Sequence, residues 1–275
     1  MSGRLSDLRR TAFVSGASTG LGRAFTEMLL VEGVRVWGTS RDPARLAPLA
    51  AAHPGAFTAV ALDLADADGA VRAYREASKA AGGPIDLLVN NAGYGVFAEF
   101  AGVESSVWRS QLEGMLGTVL ALSHEAYGSM RRQGRGCIVH VSSIAAEFPL
   151  PYMSGYNVAK AGLSALSESL IFESRGTAVR VVDFRPGDYR TEFNRAMQSE
   201  TKTEGTRRAW NALEAVFASS PAPEKAARDL KRAILADQSG IVRSGSFFQA
   251  NVAPALARLF PASWVRWGTA RYFGG

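Results

Sequence analysis

The sequence predicts an α/β domain in which a doubly wound parallel sheet of about seven strands carries helices on both of its faces. Short runs rich in β-branched residues alternate with longer amphipathic patterns, as in proteins whose parallel strands are joined by helical crossovers. The 275 residues, of which 47% are hydrophobic, are enough to bury one large core. Because neither a repeat nor a linker interrupts the alternation, residues 1–275 are expected to form a single domain.

The strands are expected where short apolar runs stand between turn-forming residues. In chain order these runs are Thr11–Ser15, Val34–Gly38, Phe57–Ala61, Asp86–Asn90, Cys137–Ser142, Val179–Phe184 and Gly240–Arg243. Helices are expected where apolar residues recur at spacings of three and four, as Ala24, Met28 and Val31 do. These stretches lie near residues 20–32, 43–51, 66–80, 104–131, 153–174 and 222–237.

Two segments do not follow this alternation. Residues 188–220 are polar and have little strand pattern, which predicts a mobile lid after the sixth strand. The tail, residues 247–275, is interrupted by Pro254 and Pro261 and carries aromatic residues among its arginines. These are Phe247, Phe248, Trp264, Trp267, Tyr272 and Phe273. We expect them to pack on the domain or on a partner subunit, with peripheral membrane contact as the alternative.

Composition argues against several classes of protein. The net charge is +6, but the basic residues are mostly dispersed arginines without a long run, so no nucleic-acid partner is expected. No apolar run approaches the length of a transmembrane helix, and the polar N-terminus does not resemble a secretion signal. Cys137 is the only cysteine, which fits a cytoplasmic location. His124 and His140 lack partners at ligand spacing, so no metal site is expected.

A glycine-rich loop directly follows the first predicted strand. Gly16, Gly20 and Gly22 stand between that strand and an amphipathic helix. Gly16 would permit a tight turn, Gly20 would let the backbone approach a pyrophosphate, and Gly22 would let the helix pack close to the sheet. The helix N-terminus would offer N–H groups and a positive dipole to phosphates. The arrangement predicts a Rossmann-type dinucleotide site.

The end of the second strand indicates which dinucleotide binds. Sites for NAD usually carry an acidic residue there to hold the ribose 2′-hydroxyl. Here the position is Ser40, and Arg41 follows it. A carboxylate would repel a 2′-phosphate, whereas a guanidinium can hold it by charge-assisted hydrogen bonds. The sequence therefore predicts NADP(H).

A serine, a tyrosine and a lysine form the candidate catalytic group. Tyr156 and Lys160 are four residues apart in a predicted helix and so project from one helical face. A neighbouring ammonium would lower the pKa of the tyrosine and let it exchange a proton with a substrate oxygen. Ser143 ends the fifth strand, at the sheet edge where ligands bind. Each feature is common alone, and their joint occurrence carries the prediction.

These elements, in this order, resemble the short-chain dehydrogenase/reductase family over roughly residues 10–245. Ser15–Gly22 is similar to the family's T-G-x-x-x-G-x-G, and Asn90–Gly93 matches its N-N-A-G. Asp63-Leu64 stands where the family contacts adenine, and Pro186–Thr191 resembles the P-G-x-x-x-T that embraces the nicotinamide.

The resemblance implies a role for each matching residue. Tyr156 would be the acid/base, Lys160 would lower its pKa and bind the nicotinamide ribose, Ser143 would polarise the carbonyl, and Asn90 would support the cofactor. It also implies a homodimer or homotetramer formed through the long fourth and fifth helices. The expected cofactor-binding residues are Gly16, Ser18, Thr19, Gly20, Leu21, Gly22, Ser40, Arg41, Asp63, Leu64, Asn90, Ala92, Gly93, Tyr156, Lys160, Pro186, Gly187 and Thr191.

The sequence departs from the family pattern at Gly114, where the family usually has a catalytic asparagine that anchors a water beside the lysine. The proton relay would then use water alone, or Glu113 or Gln111. Asp188, directly after the Pro-Gly pair, would either face the carboxamide pocket or cap the following turn.

These observations predict an NADP(H)-dependent oxidoreductase that moves a hydride between nicotinamide and a ketone or secondary alcohol. The alternatives are a redox-neutral epimerase or dehydratase that recycles bound NADP(H), and a non-catalytic NADP-binding protein. The substrate is expected to be a small carbonyl or alcohol compound, which the sequence does not identify. Candidate pocket residues are Tyr94, Phe97, Glu99, Tyr152, Tyr189 and Phe193.

Overall fold

A computed structural model describes residues 4–257 and 259–273. Its main feature is a seven-stranded sheet in which every neighbouring pair of strands is parallel. The strands of the chain are β1 Thr11–Val14, β2 Arg35–Ser40, β3 Phe57–Ala61, β4 Leu87–Asn90, β5 Val96–Phe97, β6 Gly136–Val141, β7 Val179–Pro186, β8 Gln198–Ser199 and β9 Gly240–Ser244. The sheet order is β3-β2-β1-β4-β6-β7-β9, while β5 and β8 form a separate parallel pair. The predicted doubly wound sheet is confirmed.

Helices connect the strands and cover both faces of the sheet. They are α1 Leu5–Leu8, α2 Gly20–Val31, α3 Ala47–Ala52, α4 Ala67–Ala81, α5 Ser105–Leu112, α6 Thr118–Gln133, α7 Ser154–Glu173, α8 Glu192–Ala196, α9 Glu204–Ser219, α10 Pro223–Leu235, α11 Ala253–Ala257 and α12 Ala262–Tyr272. Short 3-10 turns occupy Pro43–Leu46 and Ile144–Ala146, and π-helical turns occupy Glu113–Gly117 and Phe248–Val252.

Side chains that alternate along each strand enter two different cores. Ala12 and Val14 of β1 pack with Phe25 and Leu29 of α2 and with Leu230 of α10. On the opposite face, Phe13 packs with residues of α4 and α6, and its ring meets that of Tyr74 edge to face at 5.4 Å. Burial on both faces is what a parallel sheet requires, and it explains why its strands are continuously apolar.

The order of the strands creates the cleft that holds the candidate site. The chain runs outward from β1 through β2 to β3, and then returns to place β4 on the other side of β1. The loops after β1 and β4 therefore diverge at the carboxyl edge of the sheet, which is where ligands bind in doubly wound folds.

Three segments differ from the predicted elements. The single helix expected at 104–131 is α5 and α6, joined by the π turn. The polar segment 188–220 is largely structured, since it contains α8, β8 and α9. The tail contains a π turn followed by α11 and α12. Phe273 is buried against Phe97 and Met153, in part as expected, but several other tail aromatics are exposed.

Over residues 4–257 and 259–273, none of the helices is long and apolar enough to cross a bilayer. The same residues contain no group of three or more His, Cys, Asp or Glu side chains arranged to hold a metal ion.

Candidate active site

The loop between β1 and α2 has a backbone that only glycine suits. Gly16 and Gly20 have φ values of +70° and +55°. A Cβ on Gly22 would lie 2.0 Å from the carbonyl oxygen of Gly16. No side chain caps the first turn of α2 after Thr19, so its N–H groups remain available to an anion. This cradle fits the pyrophosphate of a dinucleotide.

The same loop is fixed to the ends of the two neighbouring strands. The Ser15 hydroxyl accepts hydrogen bonds from the backbone N–H groups of Asn91, at 2.9 Å, and Ala92, at 3.0 Å. The Asn91 side chain donates to the Ser15 carbonyl at 3.0 Å, and the Thr39 hydroxyl accepts from the Gly16 N–H at 3.2 Å. The sequence-based site did not include Asn91, although this residue stands inside the N-N-A-G element.

The end of β2 presents hydroxyl and guanidinium groups to the cleft. Ser40 donates a hydrogen bond to the hydroxyl of Ser18 at 3.3 Å. The exposed side chain of Arg41 lines the cavity, as does Arg45, which lies 3.2 Å from the Glu192 carboxylate. The Asp42 carboxylate is already used, since it accepts from the N–H of Ala44 at the start of the 3-10 turn. The acidic group near this edge is therefore held in a capping contact.

Ser143, Tyr156 and Lys160 converge on the carboxyl edge of β6. Ser143 caps the short 3-10 turn after β6, and its hydroxyl accepts from the N–H of Ala145 at 3.0 Å. Tyr156 lies in the first turn of α7. One turn later, the Lys160 ammonium donates to the Val141 carbonyl at 2.7 Å and lies 5.7 Å from the centre of the Tyr156 ring.

The electrostatics of this group differ from the sequence-based expectation. Burial raises the pKa of Tyr156 to about 12, although a hydrogen bond with Ser143 opposes that rise. Burial lowers the pKa of Lys160 to about 8, against the attraction of Asp183. The expected lowering of the tyrosine pKa by the lysine is not found, because loss of water around the phenol dominates in the free protein. Tyr156 is protonated at neutral pH, and Lys160 titrates near neutrality.

A buried polar network lies behind Lys160. Asp183 on β7 accepts hydrogen bonds from the hydroxyls of Ser142 and Ser164, the latter at 2.6 Å, and from Arg185 at 2.8 Å. Arg185 in turn lies 2.6 Å from Glu147. Asp183 is fully buried, so these bonds are what make its negative charge tolerable. Its role was not predicted, because its serine partners Ser142 and Ser164 are distant from it in sequence.

Gly114 lies in the π turn and lines the cavity. A Cβ at this position would approach the Leu64 Cβ to 3.3 Å, so a larger side chain requires a small shift there. Of the two alternative relay groups, Glu113 also lines the cavity. Gln111 instead is buried and donates to the Tyr94 carbonyl at 3.0 Å.

The predicted site residues nearly all line one cavity of about 1520 Å³. Those that do are Gly16, Ser18, Thr19, Gly20, Leu21, Gly22, Ser40, Arg41, Asp63, Leu64, Ala92, Gly93, Ser143, Tyr156, Lys160, Pro186, Gly187 and Thr191. A pocket for one ligand usually measures about 300–1,000 Å³, so this cavity has room for a dinucleotide and a substrate together.

Asn90 is the predicted site residue that lies outside the cavity lining. It is buried, and its side chain donates to the Ser123 hydroxyl at 3.0 Å. Ser123 also contacts His140, which is fully buried. Asn90 thus supports the end of β4 from behind through contacts with α6 and β6.

The segment 188–220, the tail and residues 148–153 line the end of the cavity near Tyr156. The lining there is mainly apolar and includes Phe148, Leu150, Met153, Phe193, Met197, Phe217, Phe248, Leu256, Phe260, Trp264, Trp267, Tyr272 and Phe273. Of the predicted pocket residues, Tyr94, Tyr189 and Phe193 line the cavity. Phe97 and Tyr152 pack on each other behind it, and Glu99 accepts a hydrogen bond from Thr203 at 2.7 Å. Phe97, on β5, also packs against Trp210 of α9 with ring centroids 5.1 Å apart, so it supports the wall instead of forming it.

The fold and this cavity define a nucleotide-binding oxidoreductase of the Rossmann type. The chain belongs to the short-chain dehydrogenase family, whose model matches residues 10–202. It is 34% identical to serine 3-dehydrogenase of Agrobacterium fabrum over 66% of this chain and 73% of that protein. It is 30% identical to the 3-oxoacyl-(acyl-carrier-protein) reductase of Escherichia coli over 70% of this chain and 79% of the reductase. A short-chain dehydrogenase structure from Streptomyces avermitilis superimposes with a TM-score of 0.82 at 25% identity, covering 96% of this chain and 98% of that one.

Proposed function

We propose that this protein is an NADP(H)-dependent oxidoreductase that transfers a hydride between nicotinamide and a ketone or secondary alcohol. The observation that carries the proposal is that Ser143, Tyr156 and Lys160 line the same cavity as the glycine loop. A dinucleotide whose pyrophosphate lies on that loop can extend along the sheet edge toward the tyrosine. When bound, the nicotinamide supplies or accepts the hydride at carbon.

In the proposed mechanism the chain's own residues handle the proton and the substrate oxygen. Tyr156 is protonated at neutral pH, since burial raises its pKa to about 12, and it donates its proton to the oxygen during reduction. Ser143 holds the same oxygen with its hydroxyl. Lys160 has a pKa lowered to about 8 by burial, so it can return a proton toward Tyr156 near neutral pH. Gly114 has no side chain to anchor a water, so the proposed relay from solvent uses water in the cavity, with Glu113 in its lining as the alternative group.

Replacing the tyrosine tests the reaction directly. In Tyr156→Phe the acid is absent but the ring remains, so kcat for a ketone substrate should fall by about 10²-fold or more. NADPH binding, followed by the fluorescence of the bound nicotinamide, should stay near that of the wild type. Tyr127→Phe is the matched control, because Tyr127 lies on α6 against Arg131, outside the cavity lining. Near-normal turnover in Tyr156→Phe would exclude the assigned role.

The preference for NADP(H) is proposed from the end of β2. Arg41 lines the cavity beside the hydroxyls of Ser18 and Ser40, and Asp42 is turned into its capping contact. A guanidinium there can pair with a 2′-phosphate that NAD(H) lacks.

Binding measurements test this preference. Wild-type protein should bind NADPH more tightly than NADH, and Arg41→Ala should weaken NADPH binding by about 10–100-fold, as expected for loss of a charge-assisted contact. NADH binding should hardly change. Arg10→Ala is the control, because Arg10 is an exposed arginine just before β1, at the opposite edge of the sheet. An equal loss for both cofactors would argue against a 2′-phosphate contact.

A redox-neutral epimerase or dehydratase is the second candidate, and Gly114 is the observation that favours it. With glycine at this position, the usual relay lacks one side chain. A redox-neutral enzyme returns both the hydride and the proton to its substrate, so it needs no net proton uptake from solvent. Turnover with catalytic amounts of NADP and no net change in absorbance at about 340 nm would favour this candidate over net reduction.

A further inference from the structure

Asp188 stands apart among the acidic side chains that line the cavity. Glu192 pairs with Arg45, and the Asp42 carboxylate caps the 3-10 turn. Asp63 and Glu113 lie with Arg41 around Tyr94, whose pKa is raised mainly by burial and is also influenced by those three charges. Asp188, in contrast, follows the Pro-Gly pair at the end of β7, lines the cavity, and lies near enough to Tyr156 for its charge to influence the phenol.

The Asp188 side chain is held by one residue of the tail. Gln249, in the π turn after β9, donates its amide N–H to Oδ2 of Asp188. Its carbonyl oxygen accepts from the Asp188 backbone N–H at 3.3 Å. Gly187 makes this contact possible, because a Cβ there would lie 2.5 Å from the Gln249 oxygen. The sequence-based alternative of a turn cap is not what the side chain does, since its carboxylate is bound by the glutamine.

One oxygen of the carboxylate is left for a ligand. Across the part of the chain that the structure describes, Oδ1 of Asp188 makes no hydrogen bond. Burial raises the pKa of Asp188, against the Gln249 hydrogen bond. The negative charge of Asp188 also acts on two phenols. Burial raises the pKa of Tyr156 and that of Tyr272, and the Asp188 charge raises both further. The carboxylate therefore lies between the catalytic tyrosine and the tail.

Much of the cavity that Asp188 lines is apolar. Phe193 packs against Tyr156 with ring centroids 5.9 Å apart, and Trp267 and Phe273 of the tail line the same cavity. Asp188 is half-buried and lines the cavity, so a donor on a bound ligand could replace solvent at its second oxygen. An N–H or O–H group on the substrate would supply that hydrogen bond close to Tyr156.

We propose that Asp188, oriented by Gln249, recognises a hydrogen-bond donor on the substrate, and that the substrate is a ketone or secondary alcohol with an apolar body and a hydroxyl or ammonium group. The inference rests on the proposed function, because it takes the Tyr156 end of the cavity as the substrate end. Asp188 acts as a specificity-determining residue, and Gln249 as its positioning residue.

Matched ketone pairs test the proposal in the full-length protein. The probes are 2-hydroxy-1-phenylethanone with its methyl ether, and 1-(4-hydroxyphenyl)ethanone with its methyl ether. The ammonium arm is 3-amino-1-phenylpropan-1-one, an alkyl amine that is protonated at neutral pH. We expect the wild type to prefer the donor-bearing member of at least one pair by about 10-fold or more in kcat/KM. In Asp188→Asn, which keeps the shape and removes the charge, that ratio should fall toward one, and the ammonium probe should lose most. Gln249→Ala should reduce the ratio in the same direction.

Binding measurements separate this proposal from the proposed reaction. Quenching of bound-NADPH fluorescence reports ligand binding even where no turnover occurs, so the hydroxyl and methoxy probes can be ranked in Tyr156→Phe as well. If turnover is absent but the donor preference and its loss in Asp188→Asn remain, the proposed reaction fails and the recognition role stands. The recognition role is overturned if the wild type ranks both members of every pair equally. It is also overturned if Asp188→Asn weakens NADPH and both probes alike, since Asp188 would then serve the carboxamide of the cofactor.

Discussion

His140 is fully buried in β6 between two hydroxyl groups. Its Nδ1 lies 2.8 Å from Ser167 and its Nε2 lies 2.8 Å from Ser123. The Ser167 hydroxyl donates to the Leu163 carbonyl, so it can only accept from Nδ1–H. Nε2 is then the acceptor, which leaves a neutral imidazole with both nitrogens paired. Burial accordingly lowers the pKa of His140 to about 4.

This histidine should make the protein less stable in mild acid. In the unfolded chain a histidine takes up a proton near pH 6.5, whereas His140 in the folded protein does so only near pH 4. The unfolded state therefore binds more protons between these values, and the free energy of unfolding should fall as pH drops through that window, by at most about 3 kcal/mol. Urea unfolding at several pH values measures it. His140→Gln, which cannot take up the proton, should be less stable at neutral pH but lose part of the acid dependence. An unchanged pH slope would contradict the assignment.

Single residues were predictable where a local motif carries the chemistry. Tyr156, Lys160 and Arg41 could be named from their neighbours in the chain because a helix turn or a strand end fixes their direction. The Asp188–Gln249 pair could not, because its members are separated by 61 residues and meet only through the path of the tail. The pKa of Tyr156 was also misjudged, since burial is a property of the assembled cavity.

At the scale of elements, the turn between β1 and α2 depends on close backbone contact. Gly22→Ala would put a methyl group 2.0 Å from the Gly16 carbonyl oxygen and 2.4 Å from the Asn91 amide, which forces the loop open. We expect NADPH affinity to fall by about 10-fold or more, while circular dichroism shows the helices retained. Gly83→Ala is the matched control, because nothing lies within 4 Å of its added Cβ. Wild-type affinity in Gly22→Ala would refute the close-contact argument.

The elements of the main sheet could be predicted from the sequence, and the small ones could not. The strands in the middle of the sheet are buried on both faces, so an unbroken apolar run marks each of them. The β5–β8 pair has two residues per strand, too few for any periodic pattern. The π turn was missed because a π turn adds one residue without breaking the helical appearance of the sequence.

At the scale of the whole molecule, the proposed cofactor part and the proposed substrate part of the cavity have different origins. The glycine loop and the candidate catalytic group come from the sheet edge, whereas much of the apolar wall comes from the tail. Among the described residues, the two large cores on the faces of the sheet contain no buried side chain from the tail. The cofactor end could therefore be predicted from motifs, while the substrate end needed the three-dimensional path of the chain.

Removing the tail should separate the two parts. A chain that ends after Ser246 keeps both sheet cores, so it should fold and bind NADPH within about threefold of the full-length protein. Its kcat/KM for phenyl ketones should fall by about 10-fold or more, because apolar contacts and Gln249 are lost. Phe247→Ala, which changes an exposed residue outside the cavity lining, should match the wild type. Loss of NADPH binding together with the ketone activity would contradict this division.

The π turn at Glu113–Gly117 joins α5 and α6 into one continuous helix that packs against α7 at one end and against α4 and the sheet at the other. Each added residue rotates the remainder of a helix by about 100° around its axis, so α5 and α6 are out of phase with each other. On one side of the turn, α5 carries Trp108 and Gln111 against Gly155, next to Tyr156. On the other side, α6 packs on α4 and the sheet. Deleting one residue from this turn would rotate α5 relative to α6. The contact between α5 and α7 would then be lost, while the contact between α6 and α4 would stay in place. The length of the π turn therefore sets how α7, which carries Tyr156 and Lys160, is aligned with the sheet.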